Sequence, residues 1–191
     1  MSIQNSSFMF KYETTLRCVK HFLDVFALVN IYVCVNITGD MRNSQKVVID
    51  TNILVAATRN RRGPSYALVQ KIRLGELVMC CSPALFLEYE DVLMRPSQLA
   101  ASGLQVSDID AILGELAGLI EPVSIHYQWR PQLRDPSDEM VLEAAVNAQA
   151  KAIVTYNLRD FRPAQRFGIF VLNPHQTFLR FNLNIFHGVQ S

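Results

Sequence analysis

The sequence lacks an excess of charge of either sign. Its 18 lysines and arginines stand against 17 aspartates and glutamates, a formal net charge of +1. It therefore has none of the strongly basic footprint that drives tight, sequence-independent binding to nucleic acid. Any such contact must rest on local patches. Cysteines are few, and Cys18, Cys34, Cys80 and Cys81 have no metal-finger spacing. Adjacent cysteines in a strand point to opposite faces and do not readily bridge. Cys80 and Cys81 thus read as small apolar residues of a buried strand, and a reducing cytoplasm is the simplest setting. A long uninterrupted hydrophobic run is also missing. Residues 22–38 are largely apolar, but Asp24 and Asn30 break the stretch and leave it marginal for a bilayer. No stable membrane association is expected. Lys11, Glu13, Arg17, Lys20 and His21 dilute the start, and no small-residue cleavage site follows, which argues against export. There is no internal repeat or low-complexity segment.

What is present is a chain of 191 residues, 50% hydrophobic, long enough for a substantial core and favouring one domain with an appendage. Residues 1–40 read as an N-terminal extension. They are either an appended helix or strand, or the product of a start codon placed too early, with Met41 the initiator. We favour the second, because Met41 leads through a few polar residues into Lys46-Val-Val-Ile-Asp50, the way many compact domains begin. Residues 41–181 read as the domain and 182–191 as a peripheral tail.

From Lys46 short apolar runs alternate with longer amphipathic ones: a strand at 47–49, a helix through Tyr66–Leu74, a strand at 77–81, and a helix over Pro83–Met94. This order points to an α/β fold. Pro64 and Pro83 stand where helices begin, suiting proline's fixed φ and missing donor. Ser107 is placed to cap a helix to about Leu119 whose apolar face is Ile109, Ile112, Leu113, Leu116 and Leu119. A strand is expected at Ile120–Ile125. After a polar loop comes a helix from about Asp138 to Ala150, with Met140, Val141, Ala144, Ala145 and Ala148 inward. It leads into a strand at 152–156, the crossover unit of a parallel sheet. A last strand at Ile169–Leu172 precedes Pro174 and a short helix, for about five strands in all.

In such sheets sites form where strand C-termini meet helix N-termini, and polar residues gather at these junctions. Asp50 follows the first strand directly; alone it would pass for a helix cap. Glu88 lies beside Leu85 and Val92 at the margin of an apolar face that also holds Leu87, Tyr89 and Leu93, whereas Glu90 and Asp91 read as a solvated side. An acid at that margin needs a partner, and an ion pair with an arginine is the bland option. Asp138 and Glu139 open a helix, where the dipole favours carboxylates. Asn157 and Asp160 repeat the placement after the fourth strand. Carboxylates brought together repel, and their joint ionisation near neutral pH requires a cation. An all-oxygen set of this kind suits Mg²⁺ or Mn²⁺, and such an ion bound beside a phosphate points to phosphodiester hydrolysis.

The segments VVIDTNILVAA (47–57), LFLEYEDVL (85–93), DPSDEMVLEAA (135–145) and IVTYNLRDF (153–161) together resemble the PIN-domain family, in that family's order. The similarity runs from about Lys46 to Phe181. It is greatest to the branch of toxins from toxin–antitoxin pairs, whose closing helix NPHQTFL (173–179) also resembles. The resemblance implies a three-layer α/β/α sandwich with a central parallel sheet and Mg²⁺- or Mn²⁺-dependent ribonuclease activity. It further implies a homodimer and a small antitoxin partner that covers the active site. Position by position, Asp50, Glu88 and Asp138 match the three catalytic, metal-binding acids. Asn52 matches a polar residue beside the site and Thr155 a nearby hydroxyl. Many relatives carry a fourth acid where this chain has Asn157, with Asp160 one turn on, so the number of metals is left open.

Glu139 is an alternative to Asp138. Arg59, Arg61 and Arg62 are placed to meet substrate phosphates or to form a merely solvated loop, and Arg134 and Arg159 are placed to pair with Glu88 or Asp138. Two other readings compete. A phosphoryl-accepting Asp50 in a dehalogenase-like site would need a second Asp at position 52, which is Asn. A PIN-like fold that binds RNA or protein without cleaving it would be favoured by loss of one of the three acids, and all three are present.

Overall fold

The computed structural model describes residues 45–128 and 130–184. The expected extension over 1–40 and the tail beyond residue 184 lie outside the described residues.

Apolar β-branched runs form the strands and amphipathic stretches the helices between them. In order the elements are β1 (Gln45–Ile49), α1 (Thr51–Arg59), α2 (Pro64–Arg73), β2 (Leu77–Cys81), α3 (Pro83–Leu93), α4 (Pro96–Ser102), α5 (Val106–Leu119), β3 (Ile120–Pro122), α6 (Glu139–Asn147), β4 (Ala152–Val154), a 3-10 turn (Arg162–Phe167), β5 (Phe170–Leu172) and α7 (Pro174–Arg180). Pro64, Pro83 and Pro174 each occupy the first helical turn, as the sequence indicates for the first two. The five strands lie in the order β3-β2-β1-β4-β5, all parallel. Helices flank the sheet, giving the expected α/β/α architecture.

The strands that pair at the centre are fully buried: Val47, Val48 and Ile49 of β1 and Ala152, Ile153 and Val154 of β4 are 0% exposed. Near-continuous apolar runs are what a strand covered on both faces requires. Cys80 and Cys81 are likewise buried free thiols of β2. The chain builds outward from β1 through β2 to β3, then returns to lay β4 on the other side of β1. The strand order therefore reverses between β1 and β4, and the crevice at their carboxyl ends is where this class of sheet places ligands.

Several local expectations are corrected. The helix expected to be capped by Ser107 starts earlier, at Val106, with the Gln105 amide donating to Asp108 Oδ2 (2.8 Å), so Ser107 lies within the first turn. In α3 the inward stripe is Leu85, Phe86, Tyr89 and Leu93. Glu90 falls on it, one turn after Phe86, and is buried, while Leu87 is 40% exposed. Burial, then the nearby Asp110 charge, raises the Glu90 carboxyl above its ordinary pKa. Helices α1 and α4 are additional to the elements read from the pattern. Strand β3 stops at Pro122 at the edge of the sheet, with the Val123 amide still donating to the Cys81 carbonyl (2.9 Å).

Candidate active site

Asp50 ends β1 and occupies the N-cap position of α1, with φ −70° and ψ 146°. It makes no capping hydrogen bond. Its buried carboxylate is instead held from the side. Thr155 Oγ1 donates to Asp50 Oδ2, and Asn52 Nδ2 donates to the same oxygen at 2.6 Å and to Thr155 Oγ1 at 3.1 Å. The Asp50 amide donates to the Val154 carbonyl (2.9 Å), continuing the β1–β4 pairing by one bond. Beneath it the phenol of Tyr89, wholly buried, donates to the carbonyl of Ile49. Four elements thus fix the first acid: β1, α1, the end of β4, and α3.

Glu88 approaches from α3. Its Oε2 is buried without a hydrogen-bond partner, and so is Oγ1 of Thr51. The two groups are close enough for the hydroxyl to pull the Glu88 pKa down, yet stop short of hydrogen-bond geometry. Burial outweighs this and raises the Glu88 pKa, with Asp50 adding to the rise and Arg95 opposing it. No salt bridge ties Glu88 to an arginine among the described residues.

Asp138 stands at the N-cap position of α6 and, like Asp50, caps nothing. Burial first, then the charges of Asp50, Asp135, Asp160 and Glu88, raise its pKa to about 6. Asp50 too is pushed up, mainly by burial, with the Thr155 hydrogen bond opposing. The three acids from separate parts of the chain therefore feel one another, with Asp160 in range of Asp138. Asn157 is exposed; its amide donates to Thr155 Oγ1 (2.9 Å).

Two expectations fail. Glu139 cannot substitute for Asp138, because its carboxylate is committed to the backbone: Oε1 accepts from the amides of Gln132 (2.5 Å) and Leu133 (2.7 Å), folding the preceding loop onto α6. Arg134 and Arg159 form no salt bridge among the described residues and leave the acids unpaired. Arg59 contacts Gln98 of α4. Arg61 lines a cavity of about 230 Å³ with Leu54, Leu93, Ile112 and Leu116. Sequence reasoning missed Thr51 and Tyr156, the latter tied to Asn52 and Ser65. Adjacency to Asp50 and Thr155 was the available signal.

The donor set is all oxygen and anionic, and it includes a buried carboxylate oxygen with no protein partner. That chemistry fits a hard divalent cation, which keeps several waters and takes only a few carboxylates. Among the described residues no three His, Cys, Asp or Glu side chains are drawn together tightly enough to hold an ion by themselves. The family model for the PIN domain matches residues 46–159, a span that includes all the acids but Asp160. No curated relative matches the chain.

Proposed function

Because the chain belongs to the PIN-domain family, a nuclease-type fold, we propose that it is an endoribonuclease dependent on Mg²⁺ or Mn²⁺, with Asp50, Glu88 and Asp138 as its catalytic, metal-holding acids. The observation that carries this reading is that those acids come within electrostatic range of one another near the β1–β4 reversal, with no salt bridge to any of them among the described residues. An ion held there would lower the pKa of a bound water and stabilise charge on the phosphate. Asp50 is pre-oriented for this by Thr155 and Asn52, which occupy one carboxylate oxygen. Glu88 offers the partnerless Oε2. Asp138, with its pKa raised to about 6, is largely ionised at neutral pH, and a cation bound there would favour that ionised form further. Asp160 is placed to support Asp138, and Asn157 is the weaker ligand candidate because it faces solvent.

The resemblance of the motifs, closing helix included, supports a toxin of a toxin–antitoxin pair, acting as a cytoplasmic homodimer restrained by a small antitoxin protein. The domain would span 41–181. Among the described residues no helix is long and apolar enough to cross a membrane.

The test is incubation of the full chain with a mixed single-stranded RNA pool and Mg²⁺ or Mn²⁺, beside Asp50→Asn and Asp138→Asn variants and an EDTA control. Cleavage lost in both variants and in EDTA is expected. Equal cleavage by wild type and variants would expose a contaminant and sink the reading. Absence of both cleavage and metal binding would favour the non-catalytic RNA- or protein-binding module.

A further inference from the structure

Tyr156 leaves 46% of its surface to solvent, yet it is anchored at both ends. Its amide donates to Asn52 Oδ1 (3.3 Å), and Asn52 is the residue that also grips Asp50. Its hydroxyl shares a 2.7 Å hydrogen bond with Ser65 Oγ. Ser65 is 1% exposed and lies in the first turn of α2, so the tip of the ring is fixed to a buried group. A large aromatic surface is thereby presented beside the acids in a set position.

The turn before Ser65 adds charge. Asn60 closes it, accepting from the Gly63 amide through its carbonyl (3.1 Å) and from the Arg62 amide through Oδ1 (3.0 Å). Arg61 and Arg62 are exposed and form no salt bridge among the described residues. The Ser65–Tyr156 bond places this turn on the same edge of the sheet as the acids. A cationic turn, a pinned aromatic and a carboxylate cluster follow one another along that edge.

We propose that Tyr156 is the stacking platform for one unpaired nucleobase next to the scissile phosphate, with the Arg61–Arg62 turn meeting neighbouring phosphates. The proposal rests on the ribonuclease reading above and names the residue that would hold a base of its substrate. A base within a duplex is already stacked on its neighbours, whereas an unpaired one can lie on an aromatic face. Stacking is tolerant of base identity, and loss of such a ring weakens binding by about tenfold or more per base.

The experiment uses the full chain with Asp50→Asn, which binds without cutting, and a single-stranded RNA carrying 2-aminopurine. Quenching of the probe on binding is expected. It should persist in the added Tyr156→Phe variant, which keeps the ring, while Tyr156→Ala binds about tenfold more weakly and quenches little. In the otherwise wild-type chain Tyr156→Ala should raise KM by a similar factor and change kcat far less. Crosslinking of 5-iodouridine RNA to the Asp50→Asn chain, read by mass spectrometry, gives a readout independent of how the alanine variant folds, and an adduct on Tyr156 is expected. Unchanged binding and quenching by Tyr156→Ala, or adducts found only elsewhere, would overturn the platform while RNA cleavage by wild type kept the nuclease reading intact. A wild-type chain that neither cleaves nor binds RNA would overturn both.

Discussion

Thr155 and Asp50 are 105 residues apart in sequence, yet the threonine hydroxyl donates its proton to Oδ2 of the aspartate, and both are buried. The bond joins the ends of the two strands between which the sheet order reverses. With Asn52 it places the side-chain donors on Oδ2, leaves the aspartate's other oxygen free of side-chain donors among the described residues, and sets its direction. Thr155→Val keeps the volume and removes the donor. The expected result is a folded protein whose Mn²⁺ affinity and RNA cleavage both fall by about 10- to 100-fold, the usual cost of removing a partner that orients a metal ligand. Calorimetric titration with Mn²⁺ checks it; unaltered affinity would mean that Thr155 only packs.

Acidity should govern both stability and metal binding. An acid whose pKa is raised by folding holds its proton more tightly folded than unfolded. The metal-free protein is therefore expected to lose stability as the pH rises from the ordinary Asp value of 3.8 to about 6, the window set by Asp138, with Asp50 and Glu88 shifted in the same direction. Conversely, Mn²⁺ affinity should weaken by up to about tenfold per pH unit below about 6, as one proton competes with the ion. Thermal unfolding across pH, with and without Mn²⁺, reads both slopes. A metal-free stability that rose over this window would contradict the mutual repulsion.

Neutralising one acid should then stabilise the metal-free fold. Asp138→Asn is expected to raise the Tm measured in EDTA at neutral pH, by about 2–4 °C for each kcal/mol of repulsion relieved, while abolishing the Mn²⁺-dependent rise seen in wild type. A lower Tm in EDTA would show that Asp138 serves the fold rather than a ligand.

Tyr89 and Glu139 are expected to behave as structural groups. Tyr89→Phe strands the buried carbonyl of Ile49, and Glu139→Gln weakens the acceptor for two loop amides. Each should cost about 1–3 kcal/mol of unfolding free energy, measured by urea denaturation. Loss of activity without loss of stability would place either residue in the chemistry instead.

The elements were legible where periodicity and punctuation agreed. The runs at 47–49 and 77–81 are too apolar and too short for anything but covered strands, the strand read at 152–156 forms but ends at Val154, and Pro64 and Pro83 mark helix starts because proline fits only the first turn. Position relative to the core was harder to read. Leu87 and Glu90 exchange the roles that hydropathy assigns them, because the rotation of α3 is set by burial of Leu85, Phe86, Tyr89 and Leu93 in the core. Glu139 and Asp138 are chemically alike and adjacent, and which one faces the crevice depends on the loop at 132–133 that Glu139 captures.

The sequence by itself determined that this is an α/β chain and that acids sit at strand-to-helix junctions, because both follow from local pattern: apolar period, turn residues and the chemistry of each side chain. The tertiary structure decided that Asp50, Glu88 and Asp138 come within electrostatic range of one another, that Thr155 and Asn52 hold the first of them, and that Tyr156 is braced by Ser65. Thr155 and Asp50 are 105 positions apart and Tyr156 and Ser65 are 91 apart, and a parallel sheet whose order reverses beside β1 is what brings such distant residues into contact.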